Sequence, residues 1–149
     1  MTKRLLAIAS GGGHWQQLML MRPAFEGLEV TYATTLAGLP EEFDATPGVI
    51  VPEANRHAPV ATLRAALAIG WLVLRKRPHV VISTGALPGV IALAFGRVSG
   101  ARTVWIDSVA NAEEMSMSGR LARRFATHWL SQWEHVAEAE GAVFAGSVL

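Results

Sequence analysis

Cysteine is absent from all 149 residues, so neither a disulfide framework nor a thiolate metal site can hold this chain together. Charge is scarce as well. Charged residues make up 17% and nearly cancel, leaving a formal net charge of +1, too small a field to favour nucleic acid. No nucleic-acid partner is expected. Long apolar runs are lacking too. Hydrophobic residues make up 51% and the mean hydropathy is +0.30. Yet no stretch reaches the roughly 20 apolar residues needed to span a bilayer. The first residues lack the charged, apolar, small-residue order of a signal peptide, and read instead as a strand followed by glycines. A cytoplasmic location is expected. No repeat, low-complexity tract or linker breaks the chain, so one domain over residues 1–149 with a sizeable core is expected.

What is present alternates between two periods. Residues 5–9 read as an apolar strand, and Ser10, Gly11, Gly12 and Gly13 turn into a helix from His14 to about residue 21, stopped by Pro23. Residues 29–34 are rich in β-branched and aromatic side chains and read as a second strand. Residues 37–47 are turn-rich, residues 49–51 form a brief strand, and residues 52–59 form a loop. Residues 60–77 read as the longest helix, ending in Arg75, Lys76 and Arg77 before Pro78. Residues 79–83 are a continuous apolar strand of the kind buried on both faces. A helix over residues 87–98 and a strand over residues 102–106 follow. After a polar loop at residues 107–116, Ser118 is expected to cap a helix over residues 119–126. Residues 127–131 read as a strand, 132–141 as irregular and 142–144 as a last short strand. Strands alternating with helices predict an α/β domain with a mostly parallel sheet, whose ligands bind at the carboxyl ends of the strands.

Three such ends carry chemistry. The first, SGGGH, fails the dinucleotide fingerprint because its third glycine position is Gln16, and no GK[ST] follows. What remains is an anion site, with phosphate the natural ligand, or a turn serving only strand–helix packing. The second, residues 83–89 (STGALPG), is either a partner loop for the same diphosphate or a helix start with proline in its first turn. His14, at the mouth of the first helix, suits a general base or a phosphate ligand, or else a bond to a neighbouring loop. The third end gathers Asp107, Ser108, Asn111, Glu113 and Glu114, suited to acid–base work or to sugar hydroxyls. Glu113 and Glu114 read as a solvated loop, whereas Asp107 sits directly at a strand end. Trp71, in a charge-free stretch followed by Arg75, Lys76 and Arg77, fits either a helix lying on a lipid surface or one buried against the sheet. For Gln132, Trp133, Glu134 and His135 residue chemistry alone does not choose a role.

Together SGGGHWQQL, STGALPGV, WIDSVANAEEMSMSGRLA, QWEH and GSVL resemble the PssD type of bacterial exopolysaccharide protein. That type is similar to the eukaryotic membrane-anchoring subunit of the UDP-N-acetylglucosamine transferase acting on dolichol-linked sugar. The sheet and loops also resemble the N-terminal half of MurG. The resemblance implies a Rossmann-like parallel sheet forming the acceptor half of a GT-B glycosyltransferase, with a separate small PssE-type chain supplying the half that binds the UDP-sugar. It implies that Gly11, Gly12, Gly13, Thr84, Gly85, Pro88 and Gly89 hold the diphosphate of a polyprenyl-linked acceptor. His14 and Asp107 would then be catalytic, and Ser108 and Asn111 would face the acceptor sugar. Trp71, Arg75, Lys76 and Arg77 would meet the membrane surface, at the cytoplasmic face of the inner membrane. Gln132, Trp133, Glu134, His135, Val148 and Leu149 would meet the partner. No cofactor and no metal are implied. The eukaryotic subunits begin with a membrane-spanning segment that this chain lacks, so attachment through a surface helix, the acceptor lipid or another protein is expected. A non-catalytic anchor that recruits a catalytic partner is the alternative function, and a free-standing nucleotide-binding module a third.

Overall fold

The computed structural model describes residues 2–148. Its strands are β1 (Arg4–Ile8), β2 (Glu29–Thr34), β3 (Gly48–Ile50), β4 (Val80–Ser83), β5 (Arg102–Ile106), β6 (His128–Ser131) and β7 (Val143–Phe144). They form one parallel sheet in the order β3-β2-β1-β4-β5-β6-β7. The helices are α1 (Gly13–Leu20), α2 (Leu39–Glu42), α3 (Pro59–Lys76), α4 (Leu87–Val98), α5 (Met117–Ala122) and α6 (Glu134–Glu140). This is the expected Rossmann-like α/β architecture.

Helices cover both faces of the sheet, which is why its central strands are apolar without alternation. In β1, Leu6 and Ile8 pack in one buried cluster with Ile69 and Val73 of α3, Leu93 of α4 and Trp105. Leu5 and Ala7 point the other way, into a cluster with Trp15 and Leu18 of α1, Tyr32 and Ile82. Strand order reverses between β1 and β4, so the two chains diverge there and leave a crevice at their carboxyl ends. Both glycine loops leave the sheet at this crevice.

Three local expectations need correction. The turn-rich stretch contains the short helix α2, started by Gly38 and Pro40. Ser116, not Ser118, caps α5: its Oγ accepts the Gly119 N–H at 2.8 Å, and the helix ends at Ala122, well before residue 126. The segment taken as irregular forms α6, closed by Gly141 in the left-handed region (φ 78°). Its sequence, EHVAEAE, shows only Val136 and Ala137 as a buried face, too narrow a stripe for periodicity to reveal.

Helix α3 ends as its sequence suggests. Arg77 adopts φ 47°, and Arg4 Nε donates to the carbonyls of Lys76 and Arg77 at 3.2 and 2.9 Å, satisfying the exposed negative end of the helix.

Candidate functional site

The two glycine loops touch. The Thr84 hydroxyl donates to the His14 carbonyl at 2.6 Å, tying the start of α1 to the end of β4. The His14 ring lies flat against Gly85: a Cβ placed on that glycine would sit 2.1 Å from His14 Nδ1. Only glycine therefore permits this approach. Gly12 and Gly13 are exposed, a Cβ on either would meet open space, and Gly12 holds φ +86°. No side chain caps α1, so its first-turn N–H groups are left without an acceptor among the described residues. Helix α4 starts beside it, also without a side-chain cap, from Ala86 at φ 71° and ψ 168°. That conformation belongs to glycine and costs about 1–3 kcal/mol in alanine, a strain that concentrates at ligand sites. Two uncapped helix starts converging at a switch point present backbone N–H groups of the kind that bind anions.

The remaining residues of these loops do packing work. Gly11 donates its N–H to Thr35 Oγ1 at 3.2 Å. Thr84 is fully buried and spends its hydroxyl on His14, so it ties the loops and does not itself face a ligand. Pro88 is buried in the first turn of α4. Gly89 lies so close to the sheet that a Cβ would meet Ser83 Oγ at 2.0 Å. Of the residues expected to hold a diphosphate, Gly12 and Gly13 are free of such packing contacts, while Gly85 carries the His14 ring.

His14 Nδ1 is buried and has no hydrogen-bond partner. With the ring proton on Nε2, no buried N–H is left unpaired at Nδ1.

Asp107 is placed differently from the expectation. It is 2% exposed, and both oxygens are filled. Oδ1 accepts from Trp105 Nε1 at 3.0 Å and Ser116 Oγ at 2.6 Å, and Oδ2 accepts from Asn111 Nδ2 at 3.1 Å and the Ser116 N–H at 2.9 Å. A carboxylate with four donors has no lone pair left for an acceptor hydroxyl. It organises the β5–α5 loop. Ser108 is also engaged, its Oγ accepting from Gln17 Nε2 at 2.9 Å and the Ala110 N–H at 3.1 Å. Asn111 spends its amide N–H on Asp107 but stays half-buried at the rim.

Gln17 is the residue that sequence reasoning passed over. Buried in α1, it donates to Ser108 and accepts from the Val109 N–H at 3.0 Å and from Gln132 Nε2 at 2.7 Å. Its position three residues after His14 puts it on the adjoining helix face, a spacing that offered the signal. Gln132 is 4% exposed and also donates to the Asp107 carbonyl at 2.9 Å. It is therefore an internal clamp and not a partner-facing side chain. Trp133 Nε1 donates to the Val109 carbonyl at 2.7 Å, and the exposed His135 ring meets the Ala112 carbonyl. These two pin the same loop, whereas Glu134 is exposed. The Val148 N–H donates to Gln132 Oε1 at 2.9 Å, so the tail reports to the site through one glutamine; Leu149 lies outside the described residues. Arg120 of α5 bonds Glu140 of α6 at 2.8 Å and holds that carboxyl below its ordinary range by this hydrogen bond.

Helix α3 answers both readings of its sequence. Ala65, Ile69, Leu72 and Val73 are buried, while Val60, Leu63, Leu67, Trp71 and Leu74 are exposed at spacings of three and four, a single apolar stripe. Trp71 is 65% exposed. Arg75 and Arg77 are exposed beside the end of that stripe, with Lys76 half-buried. Among the described residues no helix is long and apolar enough to cross a membrane. A cleft of about 990 Å³ lies at the amino-terminal ends of β1, β4 and β5, around Lys3, Arg4 and Arg102, far from the glycine loops.

The UDP-N-acetylglucosamine transferase subunit ALG14 of Eremothecium gossypii is 28% identical over 168 residues, which cover 91% of this chain and 75% of that protein. Among solved structures, MurG of Acinetobacter baumannii superposes with a TM-score of 0.77 at 14% identity, over 99% of this chain and 46% of its own. MnaA of S. aureus with UDP gives 0.74 at 12% identity, over 99% and 44%. The UDP-GlcNAc 2-epimerase of Methanocaldococcus jannaschii gives 0.69 at 13%, over 97% and 45%. The chain thus spans less than half the length of these structures, and at such identities they establish the fold alone, a Rossmann-like α/β fold that matches the N-terminal half of MurG-type GT-B enzymes. The family model for "Oligosaccharide biosynthesis protein Alg14 like" matches residues 50–148, about two thirds of the sequence, and the protein belongs to that Alg14-like family.

Proposed function

We propose that this chain is the acceptor-binding, membrane-associated subunit of a two-chain glycosyltransferase. The enzyme transfers a sugar from a UDP-sugar to a polyprenyl-diphosphate-linked saccharide in exopolysaccharide or capsule synthesis. A small PssE-type partner supplies the donor-binding half. The observation that carries this reading is the contact of His14 with Gly85 between two uncapped helix starts. The diphosphate accepts N–H groups there, and the acceptor sugar extends toward Asn111. In the reaction the acceptor hydroxyl attacks the anomeric carbon, the C–O bond to UDP breaks, and the hydroxyl proton leaves to a base.

Two roles suit His14. As the base, its Nε2 takes that proton. As a diphosphate donor, its Nε2–H binds a phosphate oxygen, and the absence of any acceptor at Nδ1 favours this second role. Asp107 acts through neither; it holds the loop that carries Asn111. The reading is tested by co-expressing the chain with the small Rossmann-like partner and assaying a panel of UDP-sugars on a polyprenyl-diphosphate saccharide. A free-standing nucleotide-binding module would bind UDP-sugar without that partner.

The α3 stripe supports peripheral attachment to a membrane, with the cytoplasmic face as the surface we propose. An apolar face beside a basic cluster fits the interface of an anionic bilayer. Reversing charge at Arg75, Lys76 and Arg77 is expected to lower liposome binding at least about tenfold, since each basic group near anionic lipid contributes about 1 kcal/mol. Trp71→Asp should act in the same direction. Flotation with anionic vesicles checks this, and unchanged, salt-independent binding would leave the cluster as a helix cap only.

The tail supports docking of the partner. Val143 and Phe144 of edge strand β7 are 58% and 43% exposed, and Ser147 is exposed beyond them. Deleting residues 147–149 is expected to weaken partner capture while shifting the melting temperature by only a few degrees, because one hydrogen bond to Gln132 is lost. A pull-down and a thermal melt on the same truncation decide it. Full capture with a large drop in melting temperature would mean that the tail serves only its own sheet.

A further inference from the structure

A second concavity begins where the glycine site ends. It is lined by Ala86 and Leu87 at the start of α4, by Met117 and Leu121 of α5, and by Ala54 and Arg56 of the β3–α3 loop. Its volume is about 450 Å³, within the roughly 300–1,000 Å³ of ordinary ligand pockets. The walls expose apolar surface that packs on nothing: Met117 is 67% exposed and Leu121 42%. Arg56 places both guanidinium nitrogens on Met117 Sδ, at 3.2 and 3.0 Å, and forms no ion pair among the described residues. A cation resting on a thioether lacks the counter-charge that a phosphate would supply.

From the glycine site outward, the order of surfaces is anionic site, strained Ala86, apolar groove with one free arginine, and then the start of α3. There Val60 and Leu63 begin the exposed stripe, with Val60 73% exposed. We propose that this groove binds the first isoprene units of a polyprenyl diphosphate and leads the chain from the glycine loops to the membrane-facing side of α3. The inference rests on the diphosphate reading of those loops. It adds a lipid-chain subsite with Leu87, Met117 and Leu121 as its contacts and Arg56 at its polar edge. It also gives the strained backbone of Ala86 a purpose. That residue lines the groove directly after Gly85, at the proposed junction of head and tail.

The test compares two soluble probes on the intact chain by calorimetry, inorganic diphosphate and farnesyl diphosphate. The wild-type protein is expected to bind farnesyl diphosphate at least about tenfold more tightly than inorganic diphosphate. Leu121→Asp and Met117→Asp, both at exposed positions that folding tolerates, are expected to erase that preference and leave the affinity for inorganic diphosphate unchanged. Gly85→Ala, which displaces the His14 ring, is expected to weaken both probes alike. Equal affinities in the wild type, or a preference that survives both acidic substitutions, overturn the groove while leaving the glycine site intact. Binding of inorganic diphosphate alone overturns the groove, and failure of both probes to bind the wild type overturns the glycine site and the groove together.

Discussion

His14→Ala is expected to lower transfer by the assembled two-chain enzyme at least about a hundredfold, with the chain still folded and still bound to its partner. Among the described residues no hydrogen-bond partner meets its buried Nδ1, so removal of the ring strands no partner there. Alanine also suits the first turn of α1. What is lost is the ring that fills the contact with Gly85 and faces the crevice. His14→Asn separates the two roles. Asparagine keeps a donor but cannot take a proton, so a variant within about tenfold of wild type assigns His14 to the diphosphate. A variant as slow as His14→Ala assigns it to proton removal. Wild-type turnover in a folded His14→Ala complex would remove the residue from both roles and favour the anchor that only recruits a catalytic partner.

The second large effect concerns stability. Asp107→Ala is expected to destabilise the fold by about 2–5 kcal/mol. It strands the buried Trp105 Nε1–H and the Ser116 N–H, each unsatisfied donor costing about 1–3 kcal/mol. For a chain of this length that is a fall in melting temperature on the order of 10 °C. Asp107→Asn should not rescue it, because an amide N–H would face donors from Asn111 or Ser116. A catalytic carboxylate would behave in the opposite way, losing turnover with an unchanged melting curve. Thermal unfolding of both variants therefore decides whether Asp107 acts on the acceptor or on its own loop.

The fate of Asp107 also marks where the sequence stopped being informative. Its place at the end of β5 was readable from the apolar run before it, and so was the general rule that ligands gather at such ends. Its four donors were not, because two of them come from Ser116, nine residues along a loop with no periodicity. Gln132 was invisible for the same reason: its partners Gln17 and Val148 lie 115 and 16 residues away. Strands β1, β2, β4 and β5 were legible because apolar runs bounded by glycine or proline leave few alternatives. Helix α6 was not, having only two buried side chains. The glycine loops were legible as a pair, but which glycines stay free of packing contacts required knowing that Gly89 presses on Ser83 and that Gly85 carries the His14 ring. The α3 helix shows the reverse case. A run that is apolar nearly all round fits both burial and exposure, and the structure assigns each to its own face.

The central claim is that this chain supplies the acceptor half of a transferase completed by a second chain. Reconstitution with purified components tests it most directly. Each chain, alone and together, is given a labelled UDP-sugar and a polyprenyl-diphosphate saccharide in anionic vesicles, and label is followed into the lipid fraction. Transfer should require both chains and should vanish when His14→Ala replaces the wild-type subunit. Lipid labelling by the partner alone, at the rate of the pair, would contradict the account.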